Sequence, residues 1–125
     1  MIQFLNYKDD KKYDLEERTT VFSEKLSDFY KKCPKNVITI PLSDQGIRAG
    51  TSIGANYMEA NGASSKKDFK NKIYLCKKEA KEAMYWLRLI GRVLDNEKLK
   101  VECRKLWKEA HELTLIFSKI ASSTK

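Results

Sequence analysis

Lys70, Lys77, Lys81, Arg88 and Arg92 follow one another at spacings of seven, four, seven and four residues. At about 100° per residue these side chains fall within a helical sector of roughly 60°. The stripe flanks an apolar helix face and does not oppose it. Cations repeated at that pitch can track a phosphate backbone. Arg104, Lys105 and Lys108 further along the chain could widen the patch. The competing reading is a solvated flank, with Lys78 and Glu82 as an exposed i, i+4 pair. No aromatic side chain is interleaved with the stripe as a base-stacking platform would require.

Two other groupings could carry chemistry. Arg48, Ser52, Asn56 and Glu59 are spaced by four, four and three, and share one face of a helix. Glu79 and Glu82 lie on the next helical segment, and Arg48 can pair with one of them inside the subunit or across a subunit contact. Paired carboxylates can do acid–base work. Here no nucleophile, metal cluster or oxyanion loop accompanies them, so a satisfied polar network at an interface is the reading preferred. Arg104 and His111, seven apart, share a helix face. Their Arg-x6-His arrangement resembles the signature of the HEPN ribonucleases, which implies a histidine handling the proton of an RNA 2′-hydroxyl and an arginine on the phosphate. Lys105 stands where that family has a small polar residue, and the simpler reading of His111 is a partly exposed helix residue. No glycine-rich phosphate loop, Gly-x-Ser-x-Gly or Cys/His metal spacing occurs, so no metal or cofactor is expected.

The elements that must position these residues are helical. Only 5 Gly and 2 Pro occur among 125 residues, too few for an array of tight turns. Residues 1–13 read as a polar arm with a few apolar anchors. A first helix should begin at Asp14, with Glu17 in the spacing of a capping box, and stop at Pro34. Leu15, Phe22, Leu26, Phe29 and Cys33 form its apolar face. Lys35 to Pro41 should be a loop, extended through Val37–Ile40, with the second helix starting near Ser43. Ile47, Gly50, Ile53, Gly54, Tyr57 and Met58 make that helix's apolar side, and Ala49, Ser52 and Ala55 keep it small-sided. Glycine inside a helix costs about 1 kcal/mol against alanine, and close approach of a neighbouring helix would offset it. The second helix should end at Asn61-Gly62. A third, capped by Ser64 or Ser65, runs to Asp95-Asn96 through Phe69, Ile73, Cys76, Ala80, Ala83, Leu87, Ile90 and Leu94. A fourth runs from about Glu97 to about Ala121 through Leu99, Cys103, Leu106, Ala110, Leu113, Phe117 and Ile120, and residues 122–125 should fray. Short loops between amphipathic helices predict an all-α, antiparallel up-down-up-down four-helix bundle over residues 14–121.

Lys plus Arg number 25 and Asp plus Glu 17, a net charge of +8. Such a surface attracts nucleic acid above all, and also acidic proteins or anionic membranes. Cys33, Cys76 and Cys103 are odd in number, widely spaced and on apolar positions, so reduced core thiols in a cytoplasmic protein are expected. His111 is the only histidine, which disfavours a zinc site. The apolar start Met1–Leu5 is too short for a signal peptide, and no stretch approaches the roughly 20 apolar residues of a membrane span.

Three runs carry a family resemblance: Ser52-Ile53-Gly54-Ala55-Asn56-Tyr57-Met58-Glu59-Ala60, Ala63-Ser64-Ser65-Lys66-Lys67-Asp68-Phe69, and Lys78-Glu79-Ala80 with Tyr85-Trp86-Leu87. Together with Asp14-Leu15-Glu16-Glu17-Arg18-Thr19 they resemble the S23-like proteins encoded in bacterial 23S rRNA intervening sequences. That resemblance implies a four-helix bundle assembling into a ring, typically a homopentamer. It also implies likeness in fold to the accessory variability protein of diversity-generating retroelements, which binds nucleic acid and a reverse transcriptase through a basic surface. The family brings no recognised catalytic residues. Arg48, Ser52, Asn56, Glu59 and Glu79 match its motif positions and read as packing and assembly residues. The expectation is a non-catalytic, self-assembling basic scaffold that contacts RNA or DNA. The alternatives are a protein–protein adaptor without nucleic-acid binding and a HEPN-like ribonuclease.

Overall fold

The computed structural model describes residues 14–124. Four helices follow in order: α1 (Leu15–Lys32), α2 (Thr39–Asn61), α3 (Lys66–Val93) and α4 (Glu97–Ser123). Each packs on its chain neighbour, and α1 closes the bundle against α4. Side-chain ties fix the directions. Arg48 on α2 meets Glu79 and Glu82 on α3, Ile53 meets Cys76, and Glu59 meets Lys72. One position rises as its partner falls, the register of an antiparallel pair. Arg18 to Glu109 and Lys32 to Glu102 set the same register between α1 and α4. The up-down-up-down bundle expected from the periodicity is the fold. The expected arm lies outside the described residues.

Three helix starts lie where the sequence placed them. Asp14 Oδ1 accepts from the Glu17 amide at 3.2 Å, Ser65 Oγ from Asp68 at 3.0 Å, and Asn96 Oδ1 from Leu99 at 3.0 Å. Each supplies an acceptor to an amide that has none inside its helix. The second helix differs. It begins at Thr39, four residues before Ser43, and the run 37–40 is turn and helix rather than extended. Asn36 Oδ1 accepts from the Ile38 and Thr39 amides at 2.9 and 3.0 Å, and Thr39 Oγ1 accepts from the Asn36 amide at 3.0 Å. This reciprocal cap starts the turn early. Pro41 then falls in the first helical turn, where a missing N–H costs nothing.

The core is the periodic set read from the sequence. Phe22, Leu26, Phe29, Ile53, Ile73, Cys76, Leu87, Ile90, Leu113 and Phe117 are fully enclosed or nearly so. Met58 is the exception: expected on the apolar side of α2, it is 62% exposed. The small residues of α2 do admit a neighbour. A Cβ on Gly50 would overlap the Leu26 side chain, and one on Gly54 would come within 3.2 Å of Thr19 Oγ1. Gly46, which the sequence reading passed over, makes the same kind of approach to Tyr30. Contact between α1 and α2 thus offsets the helix-propensity cost of three glycines.

Candidate nucleic-acid interface

Charge is sorted across α3 by the helices that flank it. Its carboxylates Glu79 and Glu82 face α2. Arg48 Nη1 lies 3.4 Å from Glu79 Oε1, its Nη2 pairs with Glu82, and its Nε donates to Gln45 at 3.3 Å. Trp86 Nε1 also donates to Glu82, at 3.1 Å. Arg48 therefore takes both carboxylates within the subunit, and Glu82 pairs with Arg48 rather than with Lys78. Ser52 Oγ donates to the Arg48 carbonyl at 2.7 Å and Asn56 Nδ2 to the Ser52 carbonyl at 2.9 Å, both along their own helix. Glu59 pairs with Lys72 at 2.6 Å, and that contact raises the Lys72 pKa. Arg48, Glu59 and Glu79 thus take part in ion pairs that tie α2 to α3, while Ser52 and Asn56 are satisfied along α2.

The other flank of α3 carries cations without such partners. Lys70, Lys77, Lys81, Arg88 and Arg92 make no ion pair among the described residues, nor do Arg104, Lys105 and Lys108. Arg88 and Arg92 line a groove of about 610 Å³ between α3 and α4, joined from α4 by Lys100 and Arg104. Its floor is apolar: Leu87 and Cys103 are buried there, and Gly91 presents no side chain. Four cations over such a floor concentrate positive potential, because carboxylate charge is absent from the lining and low-dielectric walls focus the field. Lys100 is the one member with a counter-charge, Glu97 at 3.5 Å.

The candidate cations do not form one patch. Lys70, Lys77 and Lys81 continue the α3 flank beyond the groove. Lys105 is on the other side of α4. It lines the cleft against α1 with Lys25, Lys32, Glu102 and Glu109, where carboxylates offset the cations. Adjacent helical residues point about 100° apart, so the spacing already sets Lys105 away from Arg104. Arg18 dominates that cleft, with Nε 2.7 Å and Nη2 2.8 Å from the Glu109 carboxylate and Nη2 2.8 Å from Glu112. The hydrogen bond to Glu109 is the largest cause raising its pKa, against the opposing effect of burial.

Trp107 lines the groove, although the sequence showed no aromatic residue interleaved with the basic stripe. The stripe belongs to α3 and Trp107 to α4, so only the fold brings them together. His111 lies one turn further on, exposed, its ring 5.3 Å from that of Trp107 and 17° from parallel. Arg104 faces the groove while His111 stacks on Trp107. Among the described residues no group of three or more His, Cys, Asp or Glu side chains could hold a metal ion. All three cysteines are buried free thiols. Burial pushes Cys33 and Cys103 up to about 11 and Cys76 up to about 12, so they stay protonated near neutrality.

Comparison with known proteins places this architecture. The family model described as 23S rRNA-intervening sequence protein matches residues 11–105. The chain belongs to that family. A crystal structure of a protein with unknown function from the S23 ribosomal protein family of Bacteroides thetaiotaomicron is similar to it, with 30% identity and a TM-score of 0.73. The match covers 86% of this chain and 98% of that one. No curated protein matches. No helix among the described residues is long and apolar enough to cross a membrane.

Proposed function

We propose that this member of the family is a non-catalytic, self-assembling scaffold that binds the phosphate backbone of RNA or DNA through the groove between α3 and α4. The observation that carries the reading is the convergence of Arg88, Arg92, Lys100 and Arg104 on one groove while the acids of α3 are neutralised on its opposite flank. Salt-bridged surface cations are ordinary; the three unpaired arginines gathered over an apolar floor suit a polyanion. Buried, protonated thiols and a histidine ring stacked on indole support a binding role over a reactive one. Self-assembly is favoured by the resemblance and by Met58, Tyr85 and Leu115, large apolar side chains exposed on the single chain. Light scattering on nuclease-treated protein should give a multiple of the 14.5 kDa subunit. A monomer would remove the assembly half of the reading.

The binding half is tested by fluorescence anisotropy with labelled RNA at low salt. The triple variant Arg88→Glu, Arg92→Glu, Arg104→Glu should lose binding and keep its helical circular dichroism. Lys25→Glu with Lys105→Glu, in the cleft against α1, should bind as the unaltered chain does. Equal loss in both variants, or no binding by the unaltered protein, would sink it.

A further inference from the structure

The cations of the groove do not distinguish duplex from single strand; the rings beside them do. Arg104, Trp107 and His111 succeed one another at spacings of three and four on α4, so they share one flank of the helix. The indole is half-buried against the core, and the imidazole lies beside it as an offset, near-parallel plate. His111 is exposed and lies one helical turn beyond Trp107, at the edge of the groove's lining. Gly91 leaves the floor without a side chain, and the groove's 610 Å³ lies within the roughly 300–1,000 Å³ of pockets that hold small organic groups.

A duplex offers phosphates outside and keeps its base faces stacked inside. It would engage the cations and leave the ring pair unused. An unpaired nucleotide offers both phosphate and a free base face, and aromatic stacking accepts any base because every base has a π-face. We propose that the groove is a single-strand site, with the backbone held along Arg88, Arg92 and Arg104 and one unpaired base stacked on the outer face of the His111–Trp107 pair. This rests on the nucleic-acid reading above, and it specifies which form of nucleic acid the site takes.

The test compares one labelled oligonucleotide single-stranded, the same sequence annealed to its complement, and a free nucleoside triphosphate, at one salt concentration with the full chain. Single strand should bind at least tenfold tighter than duplex. His111→Ala should weaken single-strand binding about tenfold, the effect of losing one base–aromatic stack, and leave duplex binding unchanged. His111→Phe keeps a ring and should restore it, which a merely structural role for His111 would not produce. Equal binding of duplex and single strand with no effect of His111→Ala would overturn the single-strand site and leave the phosphate-binding reading standing. Absence of binding by both forms would overturn both. Triphosphate binding as tightly as the oligonucleotide would also overturn it, by making the groove a mononucleotide pocket.

Discussion

The hydroxyl of Tyr30 occupies the space in which a Cβ on Gly46 would lie, and among the described residues it is buried there without a hydrogen-bond partner. A ring from α1 is thus pressed onto bare backbone of α2. Gly46→Ala should therefore destabilise the fold. Overpacking of this kind costs about 1–3 kcal/mol, and the gain in helix propensity returns only about 1 kcal/mol. Tyr30→Phe removes the orphaned hydroxyl and keeps the ring, so it should raise stability by up to about 1 kcal/mol. Urea unfolding midpoints at an unchanged slope check both signs. A Gly46→Ala protein as stable as the parent would show that Tyr30 can move aside.

The start of α2 offers a second test. Asn36 Oδ1 serves two amides at a helix start that was expected near Ser43. Asn36→Ala should cost about 1 kcal/mol, as the loss of a helix cap does, while Ser43→Ala should cost little. The reverse order in thermal melts would return the helix start to Ser43.

Much of the fold was legible because helical periodicity and burial are one property seen twice. Phe22, Leu26 and Phe29, or Ile73, Cys76 and Ala80, recur at the pitch that puts them on one face, and that face is the core. The stop at Pro34 and the caps at Asp14, Ser65 and Asn96 are local chemistry and equally readable. Asn36 was hidden by Pro41, which suggests a break although the first turn of a helix tolerates it. The candidate interface was only half legible. The stripe on α3 is a property of one helix, but its union with Lys100 and Trp107 depends on how α4 packs. Tyr30 over Gly46 is likewise a contact between helices that no spacing within one helix encodes.

The thiols predict the alkaline limit of stability. Burial raises Cys33 and Cys103 from 9.0 to about 11 and Cys76 to about 12. Burial also raises Tyr30 and Tyr57. A group with a higher pKa folded than unfolded stabilises the fold fully below its unfolded value, and that contribution is lost as pH rises through the folded one. Stability should thus be level below about pH 8 as far as these groups govern it, then fall between about pH 9.0 and about pH 12. Cys76→Ala should shrink the drop in melting temperature between neutral and alkaline buffer. Ellman's reagent should react slowly with the native protein at pH 8 and fully once urea is added. Rapid reaction of all three thiols would contradict their burial.

The bidentate contact of Arg18 with Glu109 ties α1 to α4, and its geometry sets the expected effect of a charge-conserving change. Lys cannot reproduce two parallel N–H···O bonds. Arg18→Lys should lower stability by about 0.5–1 kcal/mol, the scale of a partly exposed ion pair. Urea unfolding of Arg18→Lys, Glu109→Gln and the double variant would expose the coupling. Strict additivity of the two changes would mean that the pair contributes nothing beyond its separate side chains.

The α3 cations outside the groove predict a dependence on ligand length. From Lys70 to Arg88 is eighteen residues of helix, about 27 Å at 1.5 Å per residue. A short oligonucleotide seated at Arg88, Arg92 and Arg104 cannot also reach Lys70 or Lys77, whereas a long one can follow the flank. Lys70→Glu with Lys77→Glu, about 27 and 16 Å from Arg88 along the helix, should therefore leave a three-nucleotide ligand of about 10 Å reach nearly unaffected and weaken a much longer one. The salt dependence should report the same difference. Each phosphate contact to a single strand adds about 0.7 to the slope of log affinity against log salt. Removing two lysines should reduce that slope for the long ligand by about 1.4 and leave it unchanged for the short one. If both lengths weaken equally, Lys70 and Lys77 act as a diffuse field and not as sequential contacts; if neither does, the flank of α3 beyond the groove is solvated and the groove alone binds.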